Sequence, residues 1–191
     1  MDVDEAIRRR RTHKFFAGGA VPEATLRDLV ELARWAPNHE YTEPWRFLIV
    51  RHERLPAMQT AVLASLDSIA QAGTPEMMRK LAQKREKLIK RLAGTGAVVV
   101  VTCARSPDDP SRDREDFAAS ACATQNLLLA ATARGLCALW STGGVLLTEA
   151  MRSFYGARGD EHIVGVLFIG TPATELEGKR YKGVDDVIAW V

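Results

Sequence analysis

The chain has 191 residues, 47% of them hydrophobic and 26% charged, with a net charge of only +2. That length buries roughly 70% of the unfolded surface without staples, and the near-neutral balance argues against a bulk nucleic-acid binder, which needs a dominant basic surface. No uninterrupted apolar run reaches the roughly 18 residues of a membrane helix, and the acidic, then arginine-rich start lacks a signal peptide's apolar core; a cytoplasmic protein is expected.

Asp2 to about Arg10 reads as a short helix capped by Asp2 or Asp4, with Val3, Ala6 and Ile7 on one side. Pro22 opens a second helix, in which Leu26, Leu29, Val30 and Ala33 recur at helical spacing until Pro37. Arg46 to Val50 is a strand candidate. Helices follow over about 55–72 and 75–93, divided by Gly73-Thr74-Pro75; the second carries Lys80, Lys84, Lys87 and Lys90 in a pattern that places it outside. Gly96 to Thr102 has the unbroken apolar character of a strand covered on both faces. A proline-containing loop then leads into a long helix over about 112–134. It is small and apolar almost all round from Phe117 to Ala123, so it is expected to lie centrally. Gly135 ends it, Leu136 to Trp140 begins another strand, Thr148 caps a short helix to Tyr155, and Ile163 to Ile169 is the last strand. This mixture indicates a layered α/β or α+β domain, expected to be one unit over 1–191 with a helical excursion at about 55–93.

Two basic clusters bracket the chain: Arg8-Arg9-Arg10-Arg11-Thr12-His13-Lys14, and Lys179-Arg180-Tyr181-Lys182. A charge run alone is commonly a solvated helix end. Here Thr12 adds a hydroxyl and Lys14 a further cation just before Phe15-Phe16, which suits a ligand with a charged end and a buried ring. If the two ends meet, they form a cage of guanidinium, ammonium and hydroxyl donors for a terminal phosphate. The stiff loop Pro37 to Trp45 offers His39 as a pocket wall or as a merely exposed side chain. Trp140-Ser141-Thr142-Gly143-Gly144 offers open backbone N–H groups to a flat ligand, or is a plain strand-to-loop turn.

Other signals are negative. Gly94-Thr95-Gly96 precedes a strand rather than following one, and no Walker loop or G-x-S-x-G elbow exists. The four histidines lack metal-ligand spacing, so no metal site is expected. Cys103, Cys122 and Cys137 form no C-x-x-C pair and read as reduced, buried thiols.

Together these segments resemble the nitroreductase family of FMN-dependent oxidoreductases, in particular its small bacterial NAD(P)H branch. The resemblance rests on Arg10-Arg11-Thr12-x-Lys14, on Ala36-Pro37-Asn38-His39 leading to Pro44-Trp45, and on Trp140-Ser141-Thr142-Gly143. It rests also on Ile163 through Thr171-Pro172 and on the basic tail. It implies an α+β, three-layer fold with a central mixed sheet flanked by helices, in an intertwined homodimer. It further implies FMN held by Arg10, Arg11 and Thr12 at the phosphate and ribityl chain, with Lys14 at the pyrimidine edge and His39 supplied by the partner. Trp140, Ser141, Thr142 and Gly143 would run along the ring, and Lys179, Arg180 and Lys182 would form a second phosphate-binding element. Glu43 stands where many members have glutamine, and Trp35 where relatives can carry a flavin-contacting arginine. The apolar end, Val187 to Val191, is expected to dock on a neighbouring subunit.

The implied activity is ping-pong hydride transfer from NAD(P)H through FMN to nitroaromatic, quinone or related electron-poor acceptors. The chain then needs no catalytic acid, nucleophile or metal of its own. The rival readings are a same-fold enzyme that degrades FMN or dehalogenates, a non-enzymatic flavin-binding protein, and a nucleic-acid module using Arg8 to Arg11 and the lysine-rich helix.

Overall fold

The computed structural model describes residues 1–71 and 74–191. The Gly73 part of the expected break between the two central helices therefore lies outside the described residues. Among the described residues six α-helices and four strands follow in the order α1 (Val3–Arg9), α2 (Glu23–Ala33), β1 (Trp45–Val50), α3 (Leu55–Gln71), α4 (Pro75–Gly94), β2 (Ala97–Ala104), α5 (Pro110–Ala133), β3 (Cys137–Ser141), α6 (Glu149–Tyr155) and β4 (Glu161–Gly170).

The strands lie in the order β1-β2-β4-β3, and every neighbouring pair is antiparallel. The expected mixed sheet is corrected accordingly: parallel pairing among the described residues is confined to one bridge, Thr12 to Ala138. Connection geometry explains the β1–β2 pair: two helices, α3 and α4, join the strands, so the chain reverses three times and re-enters the sheet in the opposite sense.

Helices cover both faces of the sheet. Val98, Val100, Val166 and Phe168 pack against Met58 and Val62 of α3, Leu88 and Leu92 of α4, and Met151 of α6. Ala97, Val99, Val101 and Ile169 face Leu26 and Leu29 of α2 and Leu127 and Ala131 of α5. Burial on both sides is why β2 reads as a continuous apolar run although its pairing is antiparallel. Asp2 caps α1 by accepting from Glu5 N–H at 2.8 Å, and Thr74 caps α4 through Met77 N–H at 3.3 Å. Gly135, at φ +72°, adopts the left-handed turn that lets α5 stop and β3 begin.

Two expectations change. Helix α5 buries Ala119, Ala123 and Thr124, but Phe117, Ala118 and Cys122 are exposed in the single chain, so its apolar girth is only half covered. Cys103 and Cys137 are buried as expected, whereas Cys122 is not. It is exposed on the uncovered side of α5.

Candidate functional site

The first basic cluster leaves α1 as an extended strap along the free edge of β3. Thr12 bridges Ala138, and His13 N–H donates to Ala138 O at 3.1 Å. Side chains on an extended segment alternate, so Arg11 and His13 point to one side while Thr12 and Lys14 stay exposed on the other. The strap then runs past the end of α4, where Arg91 Nε donates to Lys14 O at 3.1 Å. It closes on the end of β4 through a Phe16–Pro172 bridge and Ala17 N–H to Thr171 O at 3.0 Å.

Arg11 reaches into a cleft of about 220 Å³ with His13, Thr132, Cys137 and Glu175. Its Nη1 donates to Arg8 O and, at 2.8 Å, to Arg10 O, and its Nε is buried with no hydrogen-bond partner. The tail meets it here: a Cβ added at Gly178 would lie 2.8 Å from Arg11 Nε. Head and tail of the chain thus converge, with Lys179 following directly on the contact. Lys179, Arg180 and Lys182 are themselves exposed, Lys179 Nζ lying 5.0 Å from the Tyr181 ring centroid. Burial and the Arg11 charge hold His13 below its ordinary pKa, so it is neutral in this cleft near pH 7. Burial pushes the Cys137 thiol up to about 12, which removes it as a nucleophile.

On the other side of the strap, Ser141 and Gly143 form one wall of a second cleft, of about 270 Å³, against α4. Thr142 is exposed between them. Trp140 turns the opposite way. Its indole N–H donates to Val164 O at 3.1 Å, and its ring lies where a side chain on Gly165 would have to be. A register shift in the β2–β4 pairing near Val164 makes room for it. The Trp140 side chain is therefore packing, and its neighbours Ser141 and Gly143 border the cleft.

His39 lies elsewhere. It is exposed in a short 3₁₀ turn, 3.9 Å from Glu40 Oε1. The loop is tied down by Asn38 Oδ1, which accepts from Glu43 N–H at 3.0 Å, and by Thr42 Oγ1, which donates to Asp116 at 2.7 Å. Glu40, Tyr41 and Glu43 all have positive φ (51°, 54° and 40°), strain that a free surface loop would relax. Asp116, which touches this loop, and Thr132, which lines the Arg11 cleft, are sixteen residues apart on α5, a rise of about 24 Å. Within one chain His39 is remote from the strap.

The sequence reading missed Arg91 and His13. Arg91 was hidden in a helix read as external, although its place four residues beyond Lys87 continues the same face. Its guanidinium stacks 5.2 Å from the Phe168 ring centroid, and burial lowers its pKa below the free value. Trp35 is exposed, as is Glu43.

The chain resembles known proteins over nearly its whole length. It is 29% identical to the Bacillus subtilis protein named "Putative NAD(P)H nitroreductase YfhC", over 95% of this chain and 90% of that one. A nitroreductase-like family protein from Bacillus cereus superposes with a TM-score of 0.84 at 29% identity, covering 100% of this chain and 96% of the other. A structure from Desulfovibrio desulfuricans in complex with FMN has the same fold, with a TM-score of 0.72, 21% identity and coverage of 100% and 97%. The Nitroreductase family model matches residues 7–171, which spans the strap, the second cleft and the whole sheet: the chain belongs to the Nitroreductase family.

Proposed function

We propose that this protein is an FMN-dependent oxidoreductase that uses NAD(P)H to reduce nitroaromatic, quinone or related electron-poor acceptors. The convergence beside β3 supports the reading: Arg91 of α4 holds the Lys14 backbone of the strap, and Gly178 of the tail lies against Arg11. The residues present fit the cofactor. Arg11 Nε is buried without a partner, and the Arg10 and Lys14 side chains have no acidic partner among the described residues, so cationic donors stand ready for a phosphate. Arg10 and Thr12, with Arg11 from the opposite side of the strap and Lys179, Arg180 and Lys182 from the tail, would hold the phosphate and ribityl chain. Lys14, its backbone fixed by Arg91, would set a positive charge at the pyrimidine edge. Backbone N–H groups of Thr142 and Gly143 would border the ring. Bound FMN supplies hydride acceptance from NAD(P)H and electron delivery to the acceptor. The chain supplies position, positive potential and exclusion of water.

The functional unit is a homodimer with the flavin sites between subunits. His39 can join the strap only from a second copy, given its distance within one chain. Exposed Trp35 and Tyr41, the open side of α5 at Phe117, and Val187 and Trp190 of the tail are apolar surface that a second copy would cover. The test is the visible spectrum of freshly purified protein. Flavin absorbance that bleaches with NADH or NADPH and returns with a nitroaromatic or quinone is expected. Flavin without NAD(P)H oxidation would leave a binding protein, and flavin loss in air without acceptor would indicate a degrading enzyme.

A further inference from the structure

The loop between α2 and β1 is more strained than its contacts within one chain account for. Glu40, Tyr41 and Glu43 have φ of 51°, 54° and 40°, a region that residues with side chains seldom enter. Glu43 also precedes Pro44, a position that favours extended backbone. Yet the strained residues bury nothing of their own: Tyr41 is 93% exposed, and His39, Glu40 and Glu43 are exposed too. Their conformation presents side chains outward.

What holds the loop comes from α5. Asp116 is only 3% exposed, and its one hydrogen-bond donor among the described residues is Thr42 Oγ1, at 2.7 Å. Arg112 Nε lies 3.6 Å from the other carboxylate oxygen, beyond a direct hydrogen bond. A buried carboxylate is costly to keep, and packing alone would be served as well by an apolar side chain. Asp116 thus earns its place through Thr42. The Asn38 Oδ1 bond to Glu43 N–H, at 3.0 Å, closes the loop from its other side, with the strained residues between. Backbone strain that is over-determined in this way is found where geometry serves a site. We propose that Asp116 and Thr42 are positioning residues: their hydrogen bond locks the loop over 38–43 so that it presents His39 to the flavin site of a second copy. The proposal rests on the flavin and homodimer reading above.

A double-mutant cycle between Thr42→Val, which removes the hydroxyl and keeps the branched shape, and His39→Ala tests this, read on the FMN dissociation constant. Each single variant is expected to weaken FMN binding about tenfold, the loss of one charged hydrogen bond or one direct contact. The double variant is expected to weaken it by no more than about twofold further, because an unlocked loop no longer delivers His39. Thr42→Ser restores the hydroxyl and is expected to stay within about twofold of the wild type. Losses that multiply in the double variant overturn the proposal, since a merely structural bond would act independently of His39. So does wild-type FMN affinity in Thr42→Val. Chymotrypsin cleavage after Tyr41 reads the lock without the cofactor: it is expected to run about tenfold faster in Thr42→Val than in the wild type and Thr42→Ser. Equal cleavage in all three also overturns the proposal. A protein that takes up no FMN defeats the flavin reading, and the cleavage rates still decide whether Asp116 holds the loop.

Discussion

Residues 12–17 are fixed by backbone bonds to β3, to the end of β4 and to Arg91, whereas every residue from Ala173 to Val191 is exposed. Both segments carry the cations read as a phosphate grip. The head is preorganised, so its donors need little further ordering when a ligand arrives. The tail touches the head near Gly178, continues through the basic cluster and ends in an apolar segment, Val187 to Val191, that stays exposed among the described residues. The contrast teaches that one chain carries an ordered half of the proposed grip and an exposed half, which the proposed flavin and second subunit would complete.

Removing one cation from each half is expected to have the largest effect. Arg10→Ala with Arg180→Ala should weaken FMN binding by roughly hundredfold or more, taking about 1.5–3 kcal/mol per charged hydrogen bond, with circular dichroism unchanged. Retained stoichiometric flavin would show that the grip lies elsewhere. Next, Val187→Ser with Trp190→Ser should raise the dimer dissociation constant by at least about tenfold, since each buried apolar side chain contributes roughly 1.5–3 kcal/mol. Analytical ultracentrifugation reads this, and an unchanged constant would leave the tail without its assigned role.

Two smaller effects bear on the head. A Cβ at Gly94 would press on the Phe16 carbonyl, so Gly94→Ala should cost about 1–3 kcal/mol of stability and loosen the strap from α4; urea titration checks it. The smallest effect is pH dependence from His13, whose folded pKa is depressed. Below the ordinary value near 6.5 the unfolded chain takes up a proton that the folded chain refuses, so stability falls as pH drops from there to the folded pKa, then levels off. His13→Gln should flatten the melting temperature between pH 7.5 and 5.5, and an unchanged slope would assign that dependence elsewhere.

Much of the fold was legible because periodicity and punctuation agreed. Val98 to Val101 announced a strand covered on both faces, Asp2 and Gly135 marked helix ends, and Leu26, Leu29 and Ala33 gave one inward stripe. Pairing direction was not legible: no residue within the strands encodes it, and for β1 and β2 it follows from the paired helices α3 and α4. In the candidate site, the strap's donors were readable as a basic run, but their alternation was not, because it depends on the Thr12–Ala138 bridge. The direction of the Trp140 side chain was not legible for a related reason, being set by the absent side chain at Gly165. Arg91 was lost in a helix whose lysines fit a solvated face as well as a cleft wall.

The most direct test combines size and colour in one run: chromatography with light scattering and absorbance at the flavin band after reconstitution with FMN. The account predicts a yellow particle of twice the 21.0 kDa chain mass, carrying one flavin per subunit. A colourless particle of 21.0 kDa would contradict it.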